Sequence, residues 1–227
     1  MMIGIILLHA GLIIAAYLLG SISNAVWVGN LFYKTDVRKH GSKNAGATNV
    51  LRVLGWKAAL PVFILDMFKG AVAASLVFVA GYVPDTNPFV GFQIVLGLTA
   101  MLGHILPIFA SFRGGKGVAT IAGVVIAIHP SAMVIVILAF VLSLLITRYV
   151  SISSLIATCC FPFLVIGKGF WAWMLGDWLS PHETITLKIF SLAIPVIILI
   201  THRRNIRRLR KGEESKIVFR KKPSFAH

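Results

Sequence analysis

Three polar stretches in an otherwise apolar chain carry the residue types that hold phosphate. The first, Lys34 to Arg52, reads KTDVRKHGSKNAGATNVLR and sets Ser42, Asn44, Asn49 and Arg52 among glycines and cations. Glycines let a backbone turn tightly, so that successive N–H groups converge on an anion, and arginine grips phosphate with two parallel hydrogen bonds. Charge alone would favour a plainer reading, a basic loop lying on lipid headgroups. The Gly, Ser and Asn content brings the phosphate reading level with it.

The second stretch is Ser111-Phe112-Arg113-Gly114-Gly115-Lys116-Gly117. If a helix opens behind it, Gly115, Lys116 and Gly117 lie at the positive helix end, with free N–H groups and a lysine where phosphate binds well. It is not a Walker A loop, because Gly117 stands where Ser or Thr would reach magnesium. On this stretch alone, a flexible turn between two spans is the simpler reading. The third is Thr201-His202-Arg203-Arg204-Asn205-Ile206-Arg207-Arg208-Leu209-Arg210. In a helix, His202 and Asn205 share a face, and Arg203/Arg207 and Arg204/Arg208 sit one turn apart. Its plainer reading is a basic tail that fixes membrane orientation.

Two more polar positions fall inside apolar runs. Asp66 and Lys69 are spaced i, i+3 and read as a mutual ion pair, since ionisable groups in a span are costly unless paired. His104 precedes Arg113 by nine residues, about 13 Å if one helix carries both, and reads as a packing residue. Cys159 and Cys160 are adjacent, lack metal-ligand spacing and read as packing residues. Neither a metal site nor a cofactor is expected.

The elements that must position these stretches are membrane helices. Of 227 residues, 58% are hydrophobic and 13% charged, against about 25% charged in an ordinary soluble domain. The runs Ile3 to Phe32, Thr86 to Phe112, Gly117 to Thr147 and Tyr149 to Gly167 hold no Asp, Glu, Lys or Arg. The first basic residue is Lys34, so the opening run reads as a permanent span rather than a signal peptide. Spans are expected near 4–24, 59–80, 88–110, 117–129, 131–147, 150–167 and 185–201. A single helix over 117–147 would be about 46 Å long, beyond a hydrocarbon core of about 30 Å, so His129-Pro130 is read as a turn. The first of the two halves then makes only a partial crossing.

Charge decides the number of spans. With seven, and the N-terminus outside, all of the 22 Lys and Arg residues except Lys69, Lys168 and Lys188 face the cytoplasm. Six spans would put the basic tail outside, against the positive-inside rule. The formal net charge of +15 is thereby assigned to loops facing anionic lipid and phosphorylated substrates, not to nucleic acid. Trp171, Trp173 and Trp178, with Asp177 and Glu183 nearby, read as an interfacial belt on the outer face. The expected architecture is an all-α, polytopic bundle of about seven transmembrane helices, one unit over 1–227 with a basic cytoplasmic tail at 203–227.

Together the stretches resemble the bacterial acyl-phosphate:glycerol-3-phosphate acyltransferases. The resemblance runs from Gly20-Ser21 through Asp36, Arg38, GSKNAGATNVLR (41–52) and Leu54-Gly55. It continues through Asp66 with Lys69-Gly70 and GHILPIFASFRGGKGVAT (103–120), and ends in the basic helix 202–214. It implies a seven-helix enzyme of the bacterial inner membrane, working at its cytoplasmic face in phospholipid biosynthesis. The implied reaction moves a fatty acyl group from acyl-phosphate to the 1-hydroxyl of sn-glycerol 3-phosphate, giving lysophosphatidic acid and phosphate. A soluble enzyme that supplies acyl-phosphate is a candidate partner. Acyl-CoA is not the implied donor, and none of the seven histidines is followed five residues later by Asp, so the His-x-x-x-x-Asp motif of other glycerol-phosphate acyltransferases is absent.

The resemblance carries over Ser42, Arg52, Lys116, His202 and Asn205 first, then Asn44, Asn49, Gly115 and Glu214. The expected catalytic set is Ser42, Lys116, His202 and Asn205. The expected phosphate binders are Arg52, Asn44, Asn49, Gly115, Gly117 and Arg203. Three positions depart from the family pattern: Ser23 replaces a proline, Lys43 a glycine and Glu213 a threonine. Lys43 matters most, because a side chain there restricts positive φ. The competing reading is a transporter or flippase for phosphorylated solutes, in which Asp66/Lys69 would form a gate; a lipid-organising role is a third. Transporters commonly show two related halves, which this sequence lacks, and its polar stretches gather at one surface rather than at mid-bilayer.

Overall fold

Uncharged runs without water as a partner have one local solution, the α-helix, because it satisfies the backbone within the segment. The computed structural model describes residues 2–167 and 184–217, and every regular element among them is helical. In chain order these are α1 (Met2–Ser21), α2 (Asn24–Tyr33), α3 (Ala47–Leu54), α4 (Trp56–Ser75), α5 (Asn87–Ile105), α6 (Val118–Ile128), α7 (Pro130–Thr147), α8 (Val150–Ile166), α9 (Ile185–Thr201) and α10 (Arg203–Arg210). The tryptophan cluster at 171–178, Asp177, Glu183 and the last ten residues of the basic tail lie outside the described residues.

Four stretches are long and apolar enough to cross a membrane: Met2–Ser21, Trp56–Ala80, Asn87–Ala110 and Pro130–Thr147. A fifth follows if α9 and α10, bent by 61° at His202, are taken together. α6 and α8 are shorter apolar helices. The 11 residues of α6 span only about 16 Å, which agrees with a partial crossing. His129 separates α6 from α7 and caps the latter, its Nδ1 accepting from the Ala132 N–H at 3.3 Å, with Pro130 in the first helical position. Proline suits that position, since its missing N–H would be unpaired there anyway.

Ile5, Ile6 and Leu7 of α1, Leu142, Leu145 and Ile146 of α7, and Ile185, Ile189 and Val196 of α9 are exposed, a surface that only lipid can cover. Inside, α4 packs on α6 and α1 on α5. Gly70 and Gly123 let the α4 and α6 backbones meet, since a methyl on either would collide with a carbonyl of the facing helix. The main core is built on Leu96, Val124, Ala73, Phe161 and Ile198. A smaller apolar cluster, including Val37, Val50, Leu54 and Val62, anchors the first polar stretch and α3 onto α4.

One expectation is overturned. α5 does not continue from His104 toward Arg113; it stops at Ile105, and the chain folds back through a 3-10 turn at Ile108–Ala110. Pro107 has no N–H to continue the ladder, and Ser111 and Phe112 take left-handed φ of 54° and 56°. His104 therefore lies beside the second polar stretch: its carbonyl accepts from the Gly115 N–H at 3.0 Å.

Candidate active site

The first polar stretch is shaped from within. Asn49, 1% exposed, accepts at Oδ1 from the Ser42 N–H at 2.8 Å and from the Ser42 hydroxyl at 3.1 Å. Its amide donates to the carbonyls of Val37 at 2.7 Å and His40 at 3.2 Å. Asn49 thus serves as a clamp, and Ser42 is the residue it holds. Lys43 takes φ of 58°, the left-handed conformation that glycine would enter without strain, so the expected cost of a side chain is present and the turn forms regardless.

This loop is tied to the second stretch at two points. Arg38 spans the gap: its guanidinium pairs with Asp36 at 2.9 Å, and its Nη1 donates to the Ala110 carbonyl at 2.8 Å. The Ala45 N–H donates to the Gly114 carbonyl at 3.3 Å. Gly115 must be glycine because a side chain would run into the His104 ring. Gly117, with φ of 82°, closes the turn and caps α6.

The third stretch reaches the other two through its own chain reversal. Gly212 (φ 72°) follows α10, the Gly212 N–H donates to the Leu209 carbonyl at 3.1 Å and the Glu213 N–H to Arg208 at 2.8 Å. This is the Schellman ending, which favours glycine at the left-handed position. It aims Glu214 back at its own helix. Glu214 Oε1 accepts from Asn205 Nδ2 at 2.7 Å and Oε2 from Arg208 Nε at 2.7 Å. Arg52 of α3 pairs with Oε1 at 3.3 Å, and the Ser151 hydroxyl of α8 donates to it at 3.4 Å. Burial pushes the Glu214 pKa up, but the Arg208 and Asn205 hydrogen bonds outweigh it, so this carboxylate is held below its usual range.

The three stretches meet at one end of a cavity of about 540 Å³. Ser42, Asn44, Asn49, Arg52, Lys116, Gly117, His202 and Asn205 all line it, with Glu214 and Ser151. Beyond this polar end, its walls are apolar side chains of α4, α6, α7, α8 and α9, including Phe63, Val125, Val136, Phe140 and Ile194. Of the expected residues, Gly115 buttresses the turn from behind. Arg203 is exposed and points away from the cavity wall; Arg208 is the α10 arginine that engages the site.

Electrostatics follow from this packing. Lys116 has no carboxylate within ion-pair distance among the described residues. Burial pushes its pKa down to about 8, and Arg208 and Arg52 add to the effect, while Glu214 opposes it. His202, 2% exposed, is pushed down to about 4, first by burial and then by the Lys116 charge. It is therefore neutral at physiological pH. Its Nδ1 lies 2.9 Å from the Ile198 carbonyl, which only accepts, so Nδ1 carries the hydrogen and Nε2 presents a lone pair. What sequence reasoning underrated is Glu214, the shared partner of three elements; the signal was Gly212 two residues before it. Asp66 and His104, read as structural, also line the cavity.

The family described as glycerol-3-phosphate acyltransferase matches residues 10–212. Curated relatives called glycerol-3-phosphate acyltransferase include one from Chlorobaculum tepidum, 41% identical over 230 residues and covering 93% of this chain and 97% of the relative. Another, from Chlorobium phaeobacteroides, is 40% identical, covering 90% and 94%. Among solved structures, the glycerol 3-phosphate form of PlsY (YgiH), an integral membrane glycerol 3-phosphate acyltransferase, superposes with a TM-score of 0.75 at 36% identity, covering 92% of this chain and 96% of the other. The lysophosphatidic acid form of the same protein gives 0.72 at 35%, covering 92% and 95%.

Proposed function

The chain belongs to the glycerol-3-phosphate acyltransferase family, and on that premise we propose that it transfers a fatty acyl group from acyl-phosphate to the 1-hydroxyl of sn-glycerol 3-phosphate, giving lysophosphatidic acid and phosphate. The observation that carries the reading is a single cavity with two characters. Its polar part gathers Ser42, Arg52, Lys116 and His202, and most of its remaining lining is apolar. An amphiphile with a phosphate head and an acyl tail matches that division, and a second, water-soluble phosphate fits beside the head.

In this scheme the acceptor hydroxyl oxygen attacks the acyl carbonyl carbon, the bond between that carbon and the bridging phosphate oxygen breaks, and phosphate leaves with the bonding electrons. Phosphate is already a good leaving group. The protein's task is to hold two anions together and to stabilise the developing oxyanion. Lys116 and Arg52 bind phosphate; Ser42 and the N–H groups of its loop contact the donor phosphate or the oxyanion; His202 and Asn205 orient the acceptor. The hydroxyl proton passes to a phosphate oxygen of the substrate, with His202 Nε2 as the competing base. Asn44 and Gly117 complete the anion-binding wall, and Asn49 and Gly115 shape it. Among the described residues no nucleophile has a base poised behind it, which supports direct transfer.

The membrane arrangement belongs to the same proposal: seven spans in the bacterial inner membrane, N-terminus outside, the three polar stretches and the basic tail at the cytoplasmic face. The charge asymmetry of the loops supports it. The test is purified protein in detergent with sn-glycerol 3-phosphate and either acyl-phosphate or acyl-CoA. Lysophosphatidate and stoichiometric phosphate from acyl-phosphate alone are expected. Product from acyl-CoA alone, or a trapped acyl-enzyme, would overturn the scheme.

A further inference from the structure

His104 is a buried ionisable group of the cavity that the reaction scheme leaves unused. It is 7% exposed, and its Nδ1 has no hydrogen-bond partner among the described residues. That nitrogen faces Asp66 Oδ1 at 3.6 Å, longer than a formed hydrogen bond. The carboxylate itself is held in place, accepting from Asn24 Nδ2 at 2.9 Å and pairing with Lys69 at 2.9 Å. The ring's other edge packs on Gly115, where any side chain would collide with Nε2, and both His104 and Asp66 line the cavity. A buried imidazole with a fixed carboxylate behind one nitrogen and the anion-binding turn in front of the other is built to meet a ligand.

We propose that His104 is a further phosphate ligand of this cavity, its Nε2 accepting from a protonated phosphate oxygen beside the Gly114–Gly117 turn, with Asp66 as the positioning residue behind Nδ1. A carboxylate only accepts, so the Nδ1 edge carries a hydrogen. The Nε2 edge then presents a lone pair, which a protonated phosphate oxygen can meet. Asp66, which faces Nδ1, is itself paired with Lys69 of α4. The incoming phosphate therefore meets an imidazole held between Asp66 and the turn, and the 3.6 Å gap closes as the ring is drawn into place.

This inference deepens the proposed reaction and rests on it for the identity of the phosphate. Its test does not depend on turnover. Binding of inorganic phosphate to the purified full chain is measured by calorimetry for the natural protein, His104→Ala, His104→Gln and Asp66→Asn. Loss of a hydrogen bond to a charged group predicts roughly ten- to hundredfold weaker phosphate binding in His104→Ala. His104→Gln, whose amide reaches near Nε2, recovers part of it. Asp66→Asn weakens binding too, but adds nothing in the His104→Ala background, a coupling that mere loosening of the bundle would not produce. In turnover, the KM that rises with His104→Ala identifies which substrate's phosphate sits there. Unchanged phosphate affinity in His104→Ala or His104→Gln, with melting preserved, would overturn the proposal. Failure of acyl-phosphate as donor, with phosphate binding still lost in the variants, would instead strike the reaction scheme alone.

Discussion

Asp66 and Glu214 are both nearly fully buried carboxylates that serve cations, at 1% and 6% exposure, yet they are assembled in opposite ways. Asp66 draws its cation from its own helix, one turn away, and its amide partner from α2. Glu214 collects Arg52 from α3, Ser151 from α8, and Asn205 and Arg208 from α10. The first pair is made as soon as α4 is a helix in an apolar setting. The second exists only when distant segments have converged, and its integrity therefore reports assembly of the site. One carboxylate secures a span; the other secures the meeting of loops.

The largest expected effect separates the two directly. Asp66→Ala leaves the Lys69 ammonium, 5% exposed, without its carboxylate, and breaking such a buried pair costs about 3–5 kcal/mol. Thermal unfolding in detergent should show a large loss, with much of it recovered when Lys69→Met is added. If Glu214→Ala proved equally destabilising, the distinction between span and loop carboxylates would collapse.

Next in size is a loss of activity without a loss of fold. Lys116→Ala removes a cation with no carboxylate partner among the described residues, and losing one preorganised donor typically lowers turnover by about a hundredfold or more. Steady-state kinetics should show that drop while the melting temperature stays put. Glu214→Gln should fall between these extremes. It keeps an acceptor for Asn205 but loses the charge that orders Arg52 and Arg208. Because those side chains are 22% and 31% exposed, a stability cost of only about 1 kcal/mol is expected, with kcat/KM reduced about tenfold.

A pH profile sharpens the same contrast at the mouth of the site. The Lys116 pKa is depressed to about 8, so its charge is present below that pH and lost as pH rises through it. kcat/KM, which reports the free enzyme, should decline above about pH 8, and Lys116→Arg should remove that limb wherever it remains active. His202, depressed to about 4, should contribute no limb between pH 5 and 7. The smallest effect is expected at Lys43. Replacing it by Gly relieves a left-handed φ, offset by added freedom in the unfolded chain, for a net gain below about 1 kcal/mol, readable as a slight rise in melting temperature with activity retained.

Much of the molecule was legible from the amino-acid order. The apolar runs became helices at nearly the expected bounds, the His129-Pro130 turn divides α6 from α7, and Asp66 and Lys69 form the i, i+3 pair. Eight of the ten expected site residues line one cavity; Gly115 supports it from behind and Arg203 faces outward. These features are local: they depend on period, charge and proline or glycine placement, all of which act over a few residues. The convergence of Arg52, Asn205 and Glu214, the reversal that brings His104 under Gly115, and the role of Asn49 as a clamp on Ser42 were decided by tertiary structure alone. Each joins groups whose meeting depends on how helices pack and where loops cross, and no rule of spacing along the chain reports that geometry.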